Sequence, residues 1–332
     1  MAIAPATTRP FGPAAGRLAR RHAWTGAVVL FFVLLLAWNA SQTRNFGAFE
    51  IQTLLASTLP LAYLAMAQSV VVIGGGIDLS VGAMLVLVNC LSARFMEGTD
   101  LGGSLLVAAG CLAVATALGA LTGLVITVSR IPDIIVTLAA SFVWGGAALF
   151  VLHTPGGGTS TGFQALVLGS GSAWWPALLC LLAPLLLVWV PLRRSRTGIA
   201  VYALGSDRNA AYLSGVDPLR TRVVAYAVDG LLCGLAGLAT TAFTAGGSPQ
   251  STIAMNATLN SVAAIVLGGV ALSGGVGGLI GPVFAVWSLY LIPNIMLGLG
   301  VDPSYGEVVK GVVVVLVVMA GGLLRARRTR AP

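Results

Sequence analysis

Two aspartates lie where a membrane-level carboxylate could do chemistry. Asp78 sits in Gly74-Gly75-Gly76-Ile77-Asp78-Leu79-Ser80-Val81-Gly82, between two long apolar runs, and Asp229 lies in the middle of another run. A charge at such depth is costly unless it caps a helix, pairs with another group or faces a water-filled path. The three glycines end the first run, and Asp78 and Ser80 are placed to start the next helix. The same residues can stabilise an irregular joint at a translocation path, where protein or water must surround the backbone. Asp229 has no helix end to cap. It reads either as an interhelical hydrogen-bonding group or as a path contact. Among the neutral side chains, Asn89 and Asn260 could hydrogen-bond a small polar solute, and the Trp144 ring could stack on one. For most other polar and aromatic residues in the apolar runs, helix packing or the interfacial belt is sufficient.

Other chemistries are missing from the sequence. No G-x-x-x-x-G-K-[ST] loop is present, and Lys310, the one lysine, follows no glycine-rich loop. His22 and His153 are far apart, and no paired-carboxylate site is visible. Cys90, Cys111, Cys180 and Cys233 each fall inside an apolar run without CxxC spacing, which argues against metal or redox roles. The chain therefore reads as a non-enzyme with no catalytic residue, no metal site and no cofactor of its own.

The elements that must hold these residues are membrane helices. Hydrophobic residues make up 57% of the 332 and charged residues 8%, far below the charged share of about 25% in soluble domains. Apolar windows near spanning length, about 20 residues, fall at 24–40, 51–73, 80–96, 105–128, 134–152, 173–192, 221–243, 260–272, 276–297 and 307–324. The expected fold is an all-α polytopic bundle of ten segments. The segment 260–272 is short and runs into Gly268-Gly269 and Gly274-Gly275, so it reads as broken or re-entrant. Arg17, Arg20 and Arg21 precede an apolar run that reads as an uncleaved first span rather than a signal peptide.

The net charge of +8 does not indicate nucleic-acid binding, because its arginines cluster in short gaps between apolar runs. Arg130, the group from Arg193 to Arg222, and the ending Arg325, Arg327, Arg328 and Arg330 fall on one side. Glu97, Asp100 and Asp302 fall at or near the other. By the positive-inside rule both ends are cytoplasmic. The chain divides into a cytoplasmic tail over 1–23, a membrane domain over 24–324 and a basic cytoplasmic tail over 325–332.

The cytoplasmic gap 193–220 holds a second signal. Ser206 or Asp207 can cap a short helix through Arg208, Asn209, Ala210, Ala211, Tyr212, Leu213 and Ser214. Gly215 ends it, and Pro218 follows. Such a helix either offers Ala, Tyr and Leu to a partner's groove or packs on its own bundle.

These stretches resemble the ribose-type ABC sugar-importer permeases. The Gly75-Gly76-Ile77-Asp78-Leu79-Ser80-Val81-Gly82 run is similar to that family's hallmark. So are Ile131 to Leu138, Gly205 to Gly215, Ala264 to Gly269 with Leu272 to Gly275, and Gly306 to Gly311. The blocks run in order from about 50 to 325. The resemblance implies a transmembrane importer subunit that pairs with a second copy or a paralogue. It would receive a monosaccharide-class solute from an extracytoplasmic binding protein. Cytoplasmic P-loop ATPase subunits, which use the ATP and Mg, would drive it, and residues 207–215 would be the coupling helix. A bacterial cytoplasmic membrane is the implied location. The chain departs from the family at Asn260, which stands where an acid is usual, and at Asp133-Ile134, which replaces Pro-Phe. A secondary transporter or facilitator working without ATP is the alternative reading, with Asp78 and Asp229 as coupling groups.

Overall fold

Apolar runs in a bilayer must satisfy their own backbone groups, and helices do so locally. The computed structural model describes residues 14–302 and 304–329, and among these there are helices and one isolated β-bridge but no strand. The order is α1 (Ala14–Gln42), α2 (Ala48–Ile73), α3 (Val81–Met96), α4 (Leu101–Ser129), α5 (Asp133–Val151), α6 (Thr161–Leu168), α7 (Trp175–Arg194), α8 (Arg196–Ser206), α9 (Arg208–Leu213), α10 (Pro218–Thr244), α11 (Ser251–Leu267), α12 (Ile280–Gly298) and α13 (Tyr305–Thr329). Within α7, a π turn over Leu185–Trp189 follows Pro184. Helix irregularities commonly sit beside proline, which removes a backbone donor.

Each of the ten expected segments overlaps a helix, 260–272 only as far as Leu267. Seven helices among the described residues are long and apolar enough to cross a membrane: α1 from Ala23, α2, α4, α5, α7, α10 and α12. The chain is a helical membrane protein. Residues 1–13 of the expected N-terminal tail and 330–332 of the basic tail lie outside the described residues. Both tail boundaries fall inside continuous helices, because α1 begins at Ala14 and α13 runs to Thr329.

Three segments differ from the sequence reading. The gap 153–172 contains α6, whose Ser160 Oγ accepts from the Phe163 amide at 3.2 Å and whose Phe163 and Leu168 are buried. The segment expected at 260–272 is helical from Ser251 to Leu267 and leaves the helix at Gly268. Polar residues such as Ser251, Thr252 and Asn256 hide its first turns from an apolar window. Arg222, read as part of a hydrophilic gap, is instead 9% exposed in the second turn of α10.

The core is built around α2, with Leu64, Met66, Ala67 and Val70 fully inaccessible. It packs against α10, α11 and α12, and α10 also lies along α3 and α4. The α4–α10 crossing runs on small residues. A Cβ at Gly230 would meet the Ala115 carbonyl oxygen and come 3.0 Å from the Gly119 Cα, and one at Gly123 would come 2.9 Å from the Tyr226 Cβ. Small residues permit this backbone approach, which replaces the hydrophobic driving force missing between helices in lipid.

Candidate functional site

Three capped helices, α8, α9 and α10, make the segment after α7. Ser195 Oγ accepts from the Gly198 amide at 3.1 Å and starts α8. Asp207 starts α9, with one carboxylate oxygen accepting from the Asn209 and Ala210 amides at 2.9 and 3.0 Å. Asp217 does the same for α10 at Leu219 and Arg220. The end of α9 is a Schellman turn: Gly215 at φ +84 donates to the Tyr212 carbonyl and Val216 to the Ala211 carbonyl, each at 3.0 Å. Ala211 roots the helix in the fold at 5% exposure, while Tyr212 and Leu213 stand out at 66% and 85%.

Beneath α9 three chain segments meet on glycine. Gly205 lies two residues before the Asp207 cap. A Cβ there would run into the Ile73 carbonyl oxygen and come 2.7 Å from the Gly275 amide nitrogen. Gly75 and Gly274, with φ +79 and +84, approach the same residue. A Cβ on Gly75 would come 3.2 Å from the Gly205 Cα, and one on Gly274 would come 2.6 Å from its carbonyl oxygen. The Gly275 amide donates to the Ile73 carbonyl at 2.9 Å. Positive φ suits glycine alone at such a turn. The interruption after α2 and the one after α11 are thus joined to each other through Gly205, in the last turn of α8.

A second link lies one helix away. Arg222 Nη1 donates to Asp133 Oδ1 at 2.9 Å, with both side chains largely buried. The Tyr226 hydroxyl donates to Asp133 Oδ2 at 3.4 Å. A Cβ on Gly76 would come 2.7 Å from that Asp133 oxygen and 3.0 Å from the Tyr226 hydroxyl. The start of α5 and the first turns of α10 therefore close over residues 74–77. Thr137 adds a hydrogen bond to the Ile77 carbonyl at 3.3 Å.

Asp78 is 2% exposed and accepts from both the backbone and the hydroxyl of Ser80 at 2.6 Å. It thereby fixes the residue before α3, and Ser80 itself makes no side-chain cap bond. The Asp78 carboxyl also meets that of Asp229, which is equally buried. Asp229 Oδ1 has no hydrogen-bond partner, and Cys233 Sγ lies 4.0 Å from Oδ2. Leu79 completes the joint, and the Gly82 amide donates to Thr258 Oγ1 at 3.1 Å, where any side chain would strike the Ala254 carbonyl of α11.

The remaining candidates lie elsewhere. Asn89 donates to Thr241 Oγ1 and to the Gly246 carbonyl, and accepts from the Ser248 amide, each at 2.9 Å. It pins the loop after α10, whose Gly247 forms the single bridge to Gly156. Both ends of the Asn89 amide are thus engaged within the fold. Asn89→Ala is expected to destabilise the purified protein by about 2–3 kcal/mol, from several lost hydrogen bonds at roughly 1 kcal/mol each, read by thermal unfolding in detergent. Trp144 on α5 and Asn260 on α11 are half-buried on helices that both pack against α3. The Trp144 ring nitrogen has no hydrogen-bond partner among the described residues.

Sequence reasoning missed Arg222, Asp133, Tyr226 and the Gly205–Gly274 contact. Asp133 had left one signal, as a charge standing where the family motif has proline. No group of three or more His, Cys, Asp or Glu residues suited to a metal occurs among the described residues.

Comparisons with known proteins place the chain in a family. Residues 50–318 match the family described as branched-chain amino acid transport system / permease component. The chain belongs to this family of transport permeases. Among curated relatives, the ribose import permease of Escherichia coli K12 is 30% identical over 88% of this chain and 92% of its own. That of Bacillus subtilis is 33% identical over 89% and 91%. The fructose import permease of Rhizobium meliloti is 29% identical over 83% and 78%. No solved structure matches the chain. The sequence-stretch resemblance therefore holds, and the permease is a multi-pass bacterial inner-membrane protein.

Proposed function

We propose that this permease is the membrane subunit of an ATP-driven importer for a monosaccharide or related polyol, working by alternating access. The observation that carries the reading is the exposure of Tyr212 and Leu213 on a short, doubly capped helix rooted on the junction of both helix interruptions. Exposed apolar residues at the tip of a rigid helix fit a groove on another protein better than they fit water. The partners are a cytoplasmic P-loop ATPase, an extracytoplasmic solute-binding protein and a second permease copy or paralogue. Both chain ends and α9 face the cytoplasm, and all ten apolar runs cross or enter the membrane. The named sugars of the relatives, ribose and fructose, support the solute class and not a single sugar.

ATP closure of the partner pushes α9. The push reaches residues 73–76 and 274–275 through Gly205, and residues 74–77 again through Arg222, Asp133 and Tyr226. The facilitator reading draws on the buried Asp78–Asp229 pair but leaves α9 without a role.

The test is a reconstituted complex. Tyr212→Ser with Leu213→Ser is expected to reduce solute-stimulated ATPase activity by about tenfold or more, since a docked apolar anchor is worth a few kcal/mol. The unfolding temperature of the permease alone should not change, because both side chains face solvent. Undiminished stimulation would remove the coupling role. Uptake that persists without any ATPase would favour the facilitator.

A further inference from the structure

A cleft of about 540 Å³ opens between the end of α4, the start of α5, α9 and the start of α10. Its walls include Arg130, Arg208 and Arg222 against Asp133 and Asp217. Both acids are already engaged. Asp133 is held by Arg222 at 2.9 Å. Asp217 caps α10 and lies 3.8 Å from Arg220. Arg130 and Arg208 have no acidic partner among the described residues, and both are exposed at the cleft. Arg130 is held in the left-handed region, φ 58, at the end of α4. That conformation is uncommon for any residue but glycine and marks the turn into α5.

The surroundings of the cleft indicate what fills it. Ile131 and Leu219 line it as exposed apolar side chains, and Val128, Ile134 and Ile135, close in sequence to Ile131, are exposed as well. Two unpaired guanidinium groups beside an apolar side wall at the end of membrane helices match a phosphodiester with acyl chains, not a freely soluble anion. Basic pockets between helices at the cytoplasmic side bind anionic headgroups. We propose that this cleft binds the headgroup phosphate of an anionic phospholipid, with Arg130 and Arg208 as its charge partners and the Ile131–Ile135 side facing the chains. Bound there, the lipid bridges α4 and α9 and ties the position of α9 to the composition of the membrane. The inference rests on the proposed placement of α9 at the cytoplasmic surface and not on the ATPase partnership.

The experiment uses the full-length permease alone in phosphatidylcholine nanodiscs with and without phosphatidylglycerol, counting retained lipid by native mass spectrometry. Arg130→Asn combined with Arg208→Gln should lower the preference for phosphatidylglycerol by roughly tenfold or more. Asparagine tolerates the left-handed backbone, so Arg130→Asn alone serves should the pair fail to fold. Arg193→Gln with Arg194→Gln, equal in charge but outside the cleft, should leave the preference intact. Equal loss in both pairs, or no loss in either, overturns the proposal. Displacement of the lipid by millimolar inorganic phosphate would show a free-anion site instead.

Discussion

Gly205→Ala is expected to cut solute uptake sharply. One added methyl would enter the Ile73 carbonyl and press on the Gly275 amide, both backbone groups that cannot rotate away. Overpacking of this kind costs about 1–3 kcal/mol where neighbours can shift. Here the neighbours are two turns already held at positive φ, so the cost falls on the junction itself. Uptake in cells should drop by at least about tenfold, in keeping with a cost of more than 1.4 kcal/mol. The control is Gly110→Ala in α4, where a Cβ meets nothing within 4 Å. That change should leave uptake intact and stabilise the helix by about 0.5–1 kcal/mol. Normal uptake by Gly205→Ala would mean that the contact between the two interruptions is not needed for transport.

The second large effect concerns Asp133 and Arg222. Asp133→Ala leaves a guanidinium in a site where its side chain is 10% exposed. Breaking a buried pair from one side costs about 3–5 kcal/mol, whereas replacing both partners by apolar groups is often neutral. Asp133→Leu with Arg222→Met should therefore recover most of the thermal stability lost by either single change. If the pair also transmits motion from α10 to residues 74–77, the double variant should be stable and yet transport poorly. Stability and uptake recovering together would make the pair purely structural. A fully additive loss of stability would show that the two side chains do not interact.

The sequence by itself determined a good deal. The long apolar runs required helices, because no other element satisfies its backbone inside lipid one segment at a time. Asp207 and Gly215 set the ends of α9 through local chemistry alone, since a cap and a left-handed glycine act within one turn. The motif around Gly75, Asp78 and Gly82 marked a departure from simple spanning, and its residues pointed to the family. The full extent of α11 was not legible, because its first turns are polar and an apolar window passes over them. Asn89 read as a candidate solute contact, and its partners Thr241, Gly246 and Ser248 were not legible in the sequence. Only the tertiary structure decided which interruptions touch. Gly75, Gly205 and Gly274 are far apart in the chain, and a glycine's spacing does not say whose backbone will occupy its empty side. Likewise Arg222 and Asp133 find each other only when α5 and α10 pack, since ion pairing between distant residues depends on distance and burial, which no local pattern encodes. The nonapeptide is thus a joint specified locally by glycine and Asp78, and the fold is what connects it to α9.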